Sequence, residues 1–463
     1  MNRSFLLLLI AFTAAFSSQA QSQKKAWTLE ECIRYAIDSN IAVQQADINR
    51  KMLSNTYVQS KINLLPTLSV TPSYGFNFGY SINPVNYTFI KQNSQTFLPT
   101  GQANLNIFMG LTQLNLIKKD KYDFQAANSD YLNTINNTVL NVTNLFLQIV
   151  LNKELVKAAQ KQVNISQSQL DVAKSKIRAG TMAESAIYDF EAQLARDQAT
   201  VISQQNSNDL SILALQIALQ LPDMASIDVI VPEINIGEVM SFDHLNAHDI
   251  YQYALLNQPS IKSAQARVLS ALYSIKIAKG NLSPTFSISY NTRDDYFNKA
   301  STTNITGFTS TPPYIQSTET PTSAKDQFNQ NFANNISINM NLPLFTGWQR
   351  MTAIANAKLQ YKIQQLNIQA ADNTLQQNVY QAYANAKGYA QAYSANLKAL
   401  ESQQKAFEVA QKRYDAGLAA AYELEQTRDA LARSESNAIQ AKYNYIFSVK
   451  VLDFYQGKPI TLN

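Results

Sequence analysis

The chain has one cysteine in 463 residues, Cys32, so no disulfide can form within it and stability must come from burial or assembly. Charged residues make up 15%, against roughly 25% in ordinary soluble domains, and Ser, Thr, Asn and Gln fill the gap. The net charge of +5 is mild and dispersed, and no basic stripe is interleaved with aromatics, which excludes nucleic acid as a partner. Long apolar runs are missing beyond the first twenty residues. The nearest, "LSILALQIALQL" at 210–221, is short and broken by Gln216 and Gln220, whereas a membrane helix needs about 18 residues. If this chain crosses a membrane, it does not use helices. No Ser/His/Asp, Cys/His or paired-acid constellation has a coherent setting, so no enzyme, cofactor or resident metal is expected. The glycines of "YGFNFG" open no helix and do not form a phosphate loop.

What is present begins with a leader. Arg3, the apolar run 5–16 and "SSQA" read as a secretory signal peptide, 1–20, cut after Ala20. The residue directly after that point is Gln21, not cysteine, so no lipid anchor on the mature N-terminus is expected, and the mature chain is expected to leave the cytoplasm.

Two stretches then break the prevailing helical pattern. In 68–80 the apolar side chains Leu68, Val70, Tyr74, Phe76, Phe78 and Tyr80 alternate with small or polar ones, and 285–292 does the same through Phe286, Ile288 and Tyr290. A period of two is that of a strand with one greasy and one wet face. The stretches are one motif used twice: Pro66 and Pro284 are separated by 284 − 66 = 218. "IFMG" ending at Gly110 matches "LFTG" ending at Gly347, and "KIRAG" ending at Gly180 matches "RYDAG" ending at Gly417, both at 347 − 110 = 417 − 180 = 237. The chain is a tandem duplication. The first copy, 21–245, is expected to hold helix 28–64, strands 66–82 and 97–108, long helix 110–179, a hairpin tip near 180, return helix 183–221 and segment 223–245. The second, 246–463, is expected to hold helix 246–282, strands 284–293 and 332–345, long helix 347–416, a tip near 417, return helix 419–455 and a C-terminal tail.

The helical parts carry coiled-coil spacing. Val142, Leu145, Ile149, Val156, Ala159 and Val163 fall on a 3-4 register, as do Val379, Tyr383, Ala386, Ala390, Tyr393 and Leu397. Helices of this length, roughly 105 Å at about 1.5 Å per residue, must pack on one another. Gly180 and Gly417 stand where a helix needs a left-handed residue to stop, each the expected tip of an antiparallel hairpin.

The four strands have about the 9–11 residues that a tilted membrane strand needs. Two soluble hairpins on a common core would be the bland alternative. Against it, the helices spend their apolar faces on their own heptads, and the wet faces carry Asn, Ser and Thr rather than Lys and Glu. Apolar out to lipid and neutral polar inward fits a transmembrane barrel. Four strands cannot close one, and an open edge in lipid is not viable, so several protomers must share a single barrel.

With its two copies, the "LxP" lead-in to each strand, the "FxG" return into a long helix and a Gly-marked tip in each hairpin, nearly the whole mature chain resembles the TolC family of outer-membrane efflux channels. The resemblance implies a mixed α and β membrane protein: long antiparallel coiled-coil hairpins forming an α-barrel, and four strands per chain in a trimeric 12-strand transmembrane β-barrel. It also implies a homotrimer in the outer membrane of a Gram-negative bacterium, in contact with outer-membrane lipid and extending into the periplasm. A periplasmic adaptor (membrane fusion) protein and an inner-membrane pump of RND, ABC or MFS type would dock at the tips: Arg178, Ala179, Gly180 and Thr181, and Asp415, Ala416, Gly417 and Leu418. Segment 223–245 and the residues after Tyr455 look like the family's equatorial domain.

Family members close the periplasmic end with acids six and nine positions after the second tip glycine. Here those positions are Glu423 and Gln426. A tyrosine three before that glycine is present as Tyr414, an arginine two after it is replaced by Ala419, and Ala186 stands six after the first tip glycine, with Glu184 and Asp189 nearby. The expectation is a differently held gate of Tyr414, Glu423, Gln426, Glu184 and Asp189, with Glu423 as an acidic ring favouring cations, or else an ordinary solvated helix residue. His244 and His248 in "DHLNAHD" are four apart, but Asp243 reads there as a helix cap rather than a metal ligand. The Pro- and Ser-rich stretch 294–327 reads as an outward loop. Two functions remain: a passive export duct of an efflux or type I secretion system, or a periplasmic coiled-coil scaffold or adhesion protein without a pore.

Overall fold

The structure, a computed structural model, describes residues 25–82, 87, 89–91, 93–221, 227–232, 245–312 and 315–460. The expected leader 1–20, Pro222 after the expected return helix, Asp243, His244 and most of segment 223–245 lie outside the described residues. The chain divides into two packing units, one of 1–50, 127–263 and 369–463, the other of 51–126 and 264–368. Among the described residues no helix is long and apolar enough to cross a membrane.

The first unit is helical. A short strand β1 (Lys25–Trp27) pairs in parallel with β6 (Ile227–Val229), and Lys153 holds that pair through the Asp228 carboxylate and, at 2.7 Å, the Val229 carbonyl. Helix α1 (Leu29–Ser39) starts on a capping box: Glu31 N–H donates to Thr28 Oγ1 at 3.2 Å and Thr28 N–H to Glu31 Oε2 at 3.0 Å. The expected single helix 28–64 is two. The backbone turns extended at Asn40, whose Oδ1 then accepts from Ala42 and Val43 and so starts α2 (Ile41–Ile62). Helix 246–282 breaks likewise into α5 (Ala247–Asn257) and α6 (Pro259–Gly280), because Gln258 precedes a proline and is driven out of the helical region. Both breaks keep the repeat, 258 − 40 = 218. The cap of α5 is Asn246, whose Oδ1 accepts from His248 N–H at 2.9 Å.

Two helices of 67 residues, α3 (Thr112–Arg178) and α8 (Gln349–Asp415), contribute to both units. Their return partners are α4 (Ile187–Leu219) and α9 (Ala421–Tyr455). One core gathers Leu29, Cys32 and Ala36 against Val142, Phe146, Ile149 and Leu215, and a second gathers Ile250 and Ala254 against Leu375, Val379, Ala382 and Ala386. The duplication reaches side-chain level. Ala36 and Ala254 (254 − 36 = 218), Val142 and Val379 (379 − 142 = 237), and Ile149 and Ala386 (386 − 149 = 237) are all fully buried. Burial pushes the Cys32 thiol up to about 12, which makes it an inert core group.

The second unit is built on an antiparallel sheet in the order β11 (Ala333–Asn341), β7 (Thr285–Arg293), β5 (Ser94–Met109), β2 (Thr67–Asn77). The pairings align side chains into transverse rows. Thr67, Asn104, Ser289 and Ser337 form one polar row; Ser69, Gln102, Asn291 and Asn335 form another. Leu68, Ala103, Tyr290 and Ile336 lie on the opposite face, continued by Leu105, Ile288 and Ile338 and by Phe108, Phe286 and Met340. A bulge between Asn106 and Phe108 drops Ile107 out of the expected alternation and puts Phe108 in the apolar row. Among the described residues little covers this face: Leu68 is 81% and Ile338 74% exposed.

Two prolines oppose each other, Pro72 and Pro99. Asp294 N–H donates to the Pro99 carbonyl at 3.1 Å, so the polar groups of Pro99 face β7, and those of Pro72 correspondingly face the outer edge of β2. Neither missing N–H is needed between β2 and β5, which is how both prolines fit.

Strand boundaries differ from expectation where the chemistry demands it. Strand 66–82 stops at Asn77, Gly79 takes φ +104, and β3 (Tyr80–Ile82) pairs with β4 (Phe89–Lys91) instead. Strand 97–108 starts earlier, at Ser94, and strand 332–345 ends at Asn341, ahead of Pro343. The stretch 294–327 is not a plain loop. It holds β8 (Tyr296–Phe297), the antiparallel pair β9 (Ser301–Phe308) and β10 (Ile315–Pro321), and the start of α7, Ala324–Asn331. The buried Gln327 amide ties it down, accepting from Phe297 N–H at 2.9 Å and donating to the Phe297 and Thr322 carbonyls, each at 3.1 Å. Gln327→Ala orphans the Phe297 N–H and should cost about 1–3 kcal/mol of local stability. Limited proteolysis of the native protein should then cut within 298–323 faster than in wild type while the helices stay intact; equal cutting rates would contradict the anchor.

Candidate functional site at the helical hairpin tips

Helices α3 and α8 end alike. Gly180 (φ +68) donates to the Ile177 carbonyl and Thr181 to that of Lys176; Gly417 (φ +73) donates to the Tyr414 carbonyl and Leu418 to that of Arg413. These are two Schellman ends, in which a left-handed glycine lets the last carbonyls find donors. The first return passes through a 3-10 turn, Glu184–Ala186, into α4, and the second starts α9 after the extended Ala420. Arg178, Ala179, Gly180, Thr181, Asp415, Ala416, Gly417 and Leu418 are all exposed. A small apolar cluster, Leu170, Ala173 and Phe190 with Met182, Ile187, Leu194, Tyr414 and Ala421, packs the two hairpins together.

The expected gate residues part ways here. Tyr414 joins that cluster, burial pushes its phenol up, and the Lys176 ammonium lies 4.7 Å from its ring centre, so it bridges the hairpins. Glu423 is held on its own hairpin by Arg413, Nη1 to Oε1 2.6 Å, which neutralises the acid expected to stand free. Gln426, Glu184 and Asp189 are exposed, and among the described residues no hydrogen bond or ion pair joins the five into a network.

The network that does exist is centred on Arg428, which sequence reasoning missed. Its side chain is 1% exposed. From α9 it reaches Ser166 Oγ (2.6 Å) and Gln169 Oε1 (3.2 Å) on α3, and Asp197 Oδ2 (3.6 Å) on α4, besides Glu425 and Asp429 on its own helix. Ser166 donates to Asp197, whose other oxygen accepts from Gln193 at 3.0 Å. One guanidinium thus cross-links three helices of both hairpins, a task for its planar, many-donor geometry. The signal was readable in retrospect: Arg428 falls four residues after Leu424 on the buried seam of α9, where the pattern calls for a small or apolar side chain.

Glu425 is the desolvated member. Its Oε2 lies 2.8 Å from Arg428 Nη2, yet neither carboxylate oxygen has a hydrogen-bond partner among the described residues. Desolvation raises its pKa above the usual 4.5, opposed by Arg428 and Arg196 and reinforced by Asp429 and Asp197.

Arg428→Ala leaves Asp197 and Glu425 without their cation and should cost about 3–5 kcal/mol of local stability. Hydrogen exchange should show it as lost protection over 166–197 and 421–432, with Arg428→Lys recovering part; unchanged protection would contradict the cross-link. Because folding raises the Glu425 pKa, the folded tip binds that proton more tightly. Stability therefore falls as pH rises through the window above 4.5 and is greatest below it. Tip protection should increase on acidification from neutrality toward 4.5, and Glu425→Gln should flatten the response.

Comparison with known proteins agrees with this architecture. The chain is 25% identical to outer membrane protein TolC of Salmonella enteritidis over 239 residues, 47% of each chain, so that sequence match spans about half the relative's length. Its fold superposes on the channel-forming protein CusC with a TM-score of 0.76 at 14% identity, covering 95% of this chain and 96% of that one. It also superposes on the CmeC outer membrane channel of Campylobacter jejuni, with a TM-score of 0.74 at 18% identity, covering 93% and 85%. The profile of the outer membrane efflux proteins matches residues 32–219 and 250–458, both copies of the duplication, and the chain belongs to that family.

Proposed function

We propose that this chain is the outer-membrane duct of a tripartite efflux or type I secretion system, a passive conduit with no catalytic step. The observation that carries this reading is the sheet: one face apolar and uncovered, the other lined with Asn, Ser and Thr, and no strand partner on the outer edge of β2 or β11 among the described residues. Lipid is the solvent that suits the apolar face, and an edge cannot stay open in lipid. A homotrimer, with 3 × 4 = 12 strands, closes the cylinder and gives water a polar lumen. A soluble scaffold offers no reason for such a face.

The exposed tip residues 178–181 and 415–418 are the docking points for a periplasmic adaptor and an inner-membrane pump, and selectivity for cargo belongs to that pump. With Glu423 paired to Arg413, the periplasmic closure rests on packing and the Arg428 cross-link more than on a free acidic ring.

The protein should fractionate with the outer membrane, run as a trimer in mild detergent and conduct ions in a planar bilayer, at low conductance when wild type and higher for Arg428→Ala. Extraction into aqueous buffer with no conductance would favour the scaffold instead.

A further inference from the structure

The duplication extends to the register of the sheet. Within the first copy Thr67 pairs with Asn104 and Leu68 with Ala103; within the second, Thr285 pairs with Asn341 and Phe286 with Met340. Adding 218 to the first strand and 237 to the second converts one hairpin into the other pair by pair. The two hairpins also meet inside the chain, where β5 of the first copy pairs with β7 of the second. The reciprocal meeting, β11 of the second copy with β2 of the first, does not occur within the chain, and these strands are the two outer edges.

We infer that β11 of one protomer pairs with β2 of the next in the register that the β5–β7 contact prescribes, so that Asn341 faces the neighbour's Thr71 and Leu342 its Val70. The inference rests on the duct reading above. Transferring β5–β7 by 237 and 218 gives Ile338 with Tyr74, Met340 with Pro72, Leu342 with Val70 and Phe345 with Leu68. All four pairs are apolar. Of the alternate pairs, Asn339 with Ser73, Asn341 with Thr71 and Thr346 with Thr67 are polar, and Pro343 meets Ser69. Neither strand was used to derive the other's partner, yet every pair named here except Pro343 with Ser69 matches apolar to apolar or polar to polar; a slip of one residue would oppose apolar to polar at most positions. The bulge transfers too, from Ile107 to Leu344 (107 + 237), which is exposed in the single chain.

The junction below the strands has the same vacant half. Gly110 and Gly280 are in such close approach that a Cβ on Gly110 would stand 2.0 Å from the Gly280 carbonyl oxygen. Gly347, the second-copy equivalent of Gly110 with a matching φ of +60, has nothing within 4 Å of that position. The equivalent of Gly280 is Ile62 (280 − 218), which is exposed. A second copy that brings β2 to β11 brings Ile62 to Gly347.

The main chain supports a specific test. Since Asp294 N–H bonds the Pro99 carbonyl, odd residues of β5 make the hydrogen-bonded pairs with β7 and even ones the close, non-bonded pairs. Asn104 opposite Ser289 is therefore a close pair, and so is its image, Asn341 opposite Thr71. Pairs of this kind, about 4.5 Å apart at Cα, suit a disulfide. Pro72 faces the new ladder as a carbonyl without an N–H, so that ladder lacks one bond at Met340.

The full chain carrying Asn341→Cys and Thr71→Cys should oxidise in outer membranes to a covalent closed trimer, while either single variant does not cross-link. The buried Cys32 should stay unreacted. Pairs shifted by two, Asn341→Cys with Ser69→Cys or Ser73→Cys, should cross-link on the order of tenfold less. More efficient linkage of a shifted pair overturns the register. Absence of any linkage in a chain that remains trimeric to an amine-reactive cross-linker overturns it as well, leaving the duct reading standing. A chain that is monomeric by both measures overturns the duct reading itself. Asn339→Cys with Ser73→Cys, an adjacent close pair, replaces the first variant if that one fails to assemble, with the same outcomes.

Discussion

The structure turns on where a four-stranded sheet can put its apolar face. In water, Leu68, Val70, Ile336, Ile338 and Met340 would present an exposed apolar face with no cover from the described residues, the kind of surface that soluble monomers rarely leave open. In lipid the face is at home, but the backbone at each edge is then without solvent or partner. Both demands are met together only when copies of the chain share their edges. Under the proposed assembly, the near absence of charge on the inner rows, where Arg293 is the exception, and the lack of apolar helices are accounted for, because water, lipid and neighbouring copies would supply what the single chain does not.

Duplication makes such an assembly economical. One hairpin and one helix pair, used twice, produce an internal seam between β5 and β7 that already solves the packing problem which the proposed outer seam would solve again. The same offsets relate the breaks at Asn40 and Gln258, the buried pairs Ala36 and Ala254, and the tip glycines 180 and 417. Where the two copies diverge they specialise. The second carries the antiparallel pair β9 and β10 with α7 pinned by Gln327, and it supplies Arg428 to the tips.

Much of this was legible in the sequence because it rests on periodicity. Alternation marked the strands, heptads marked the long helices, and glycine at a fixed offset marked the tips. What escaped depends on contacts between residues far apart in the chain. A residue at 40 can end a helix only if its side chain caps the next one, and nothing in the pattern of 28–64 weighs that against continuation. A polar, Pro-rich stretch looks like a loop until one buried amide, Gln327, fastens its ends. Arg428 reads as one more surface cation unless the seam of α9 is followed with the partners on α3 and α4 in view. Conversely, Glu423 matched a family position, but Arg413 on the preceding helix changes what its charge can do.

The claim on which the rest depends is that lipid, not water or protein, solvates the apolar rows. Nitroxide labels placed one at a time at Leu68, Ser69, Ile338 and Asn339 in the membrane-embedded protein measure this directly, through relaxation by oxygen, which concentrates in lipid, and by a water-soluble nickel chelate. Labels at 68 and 338 should respond to oxygen and ignore the chelate, with the reverse at 69 and 339. Chelate access at 68 and 338, or labels there shielded from both relaxants, would contradict it.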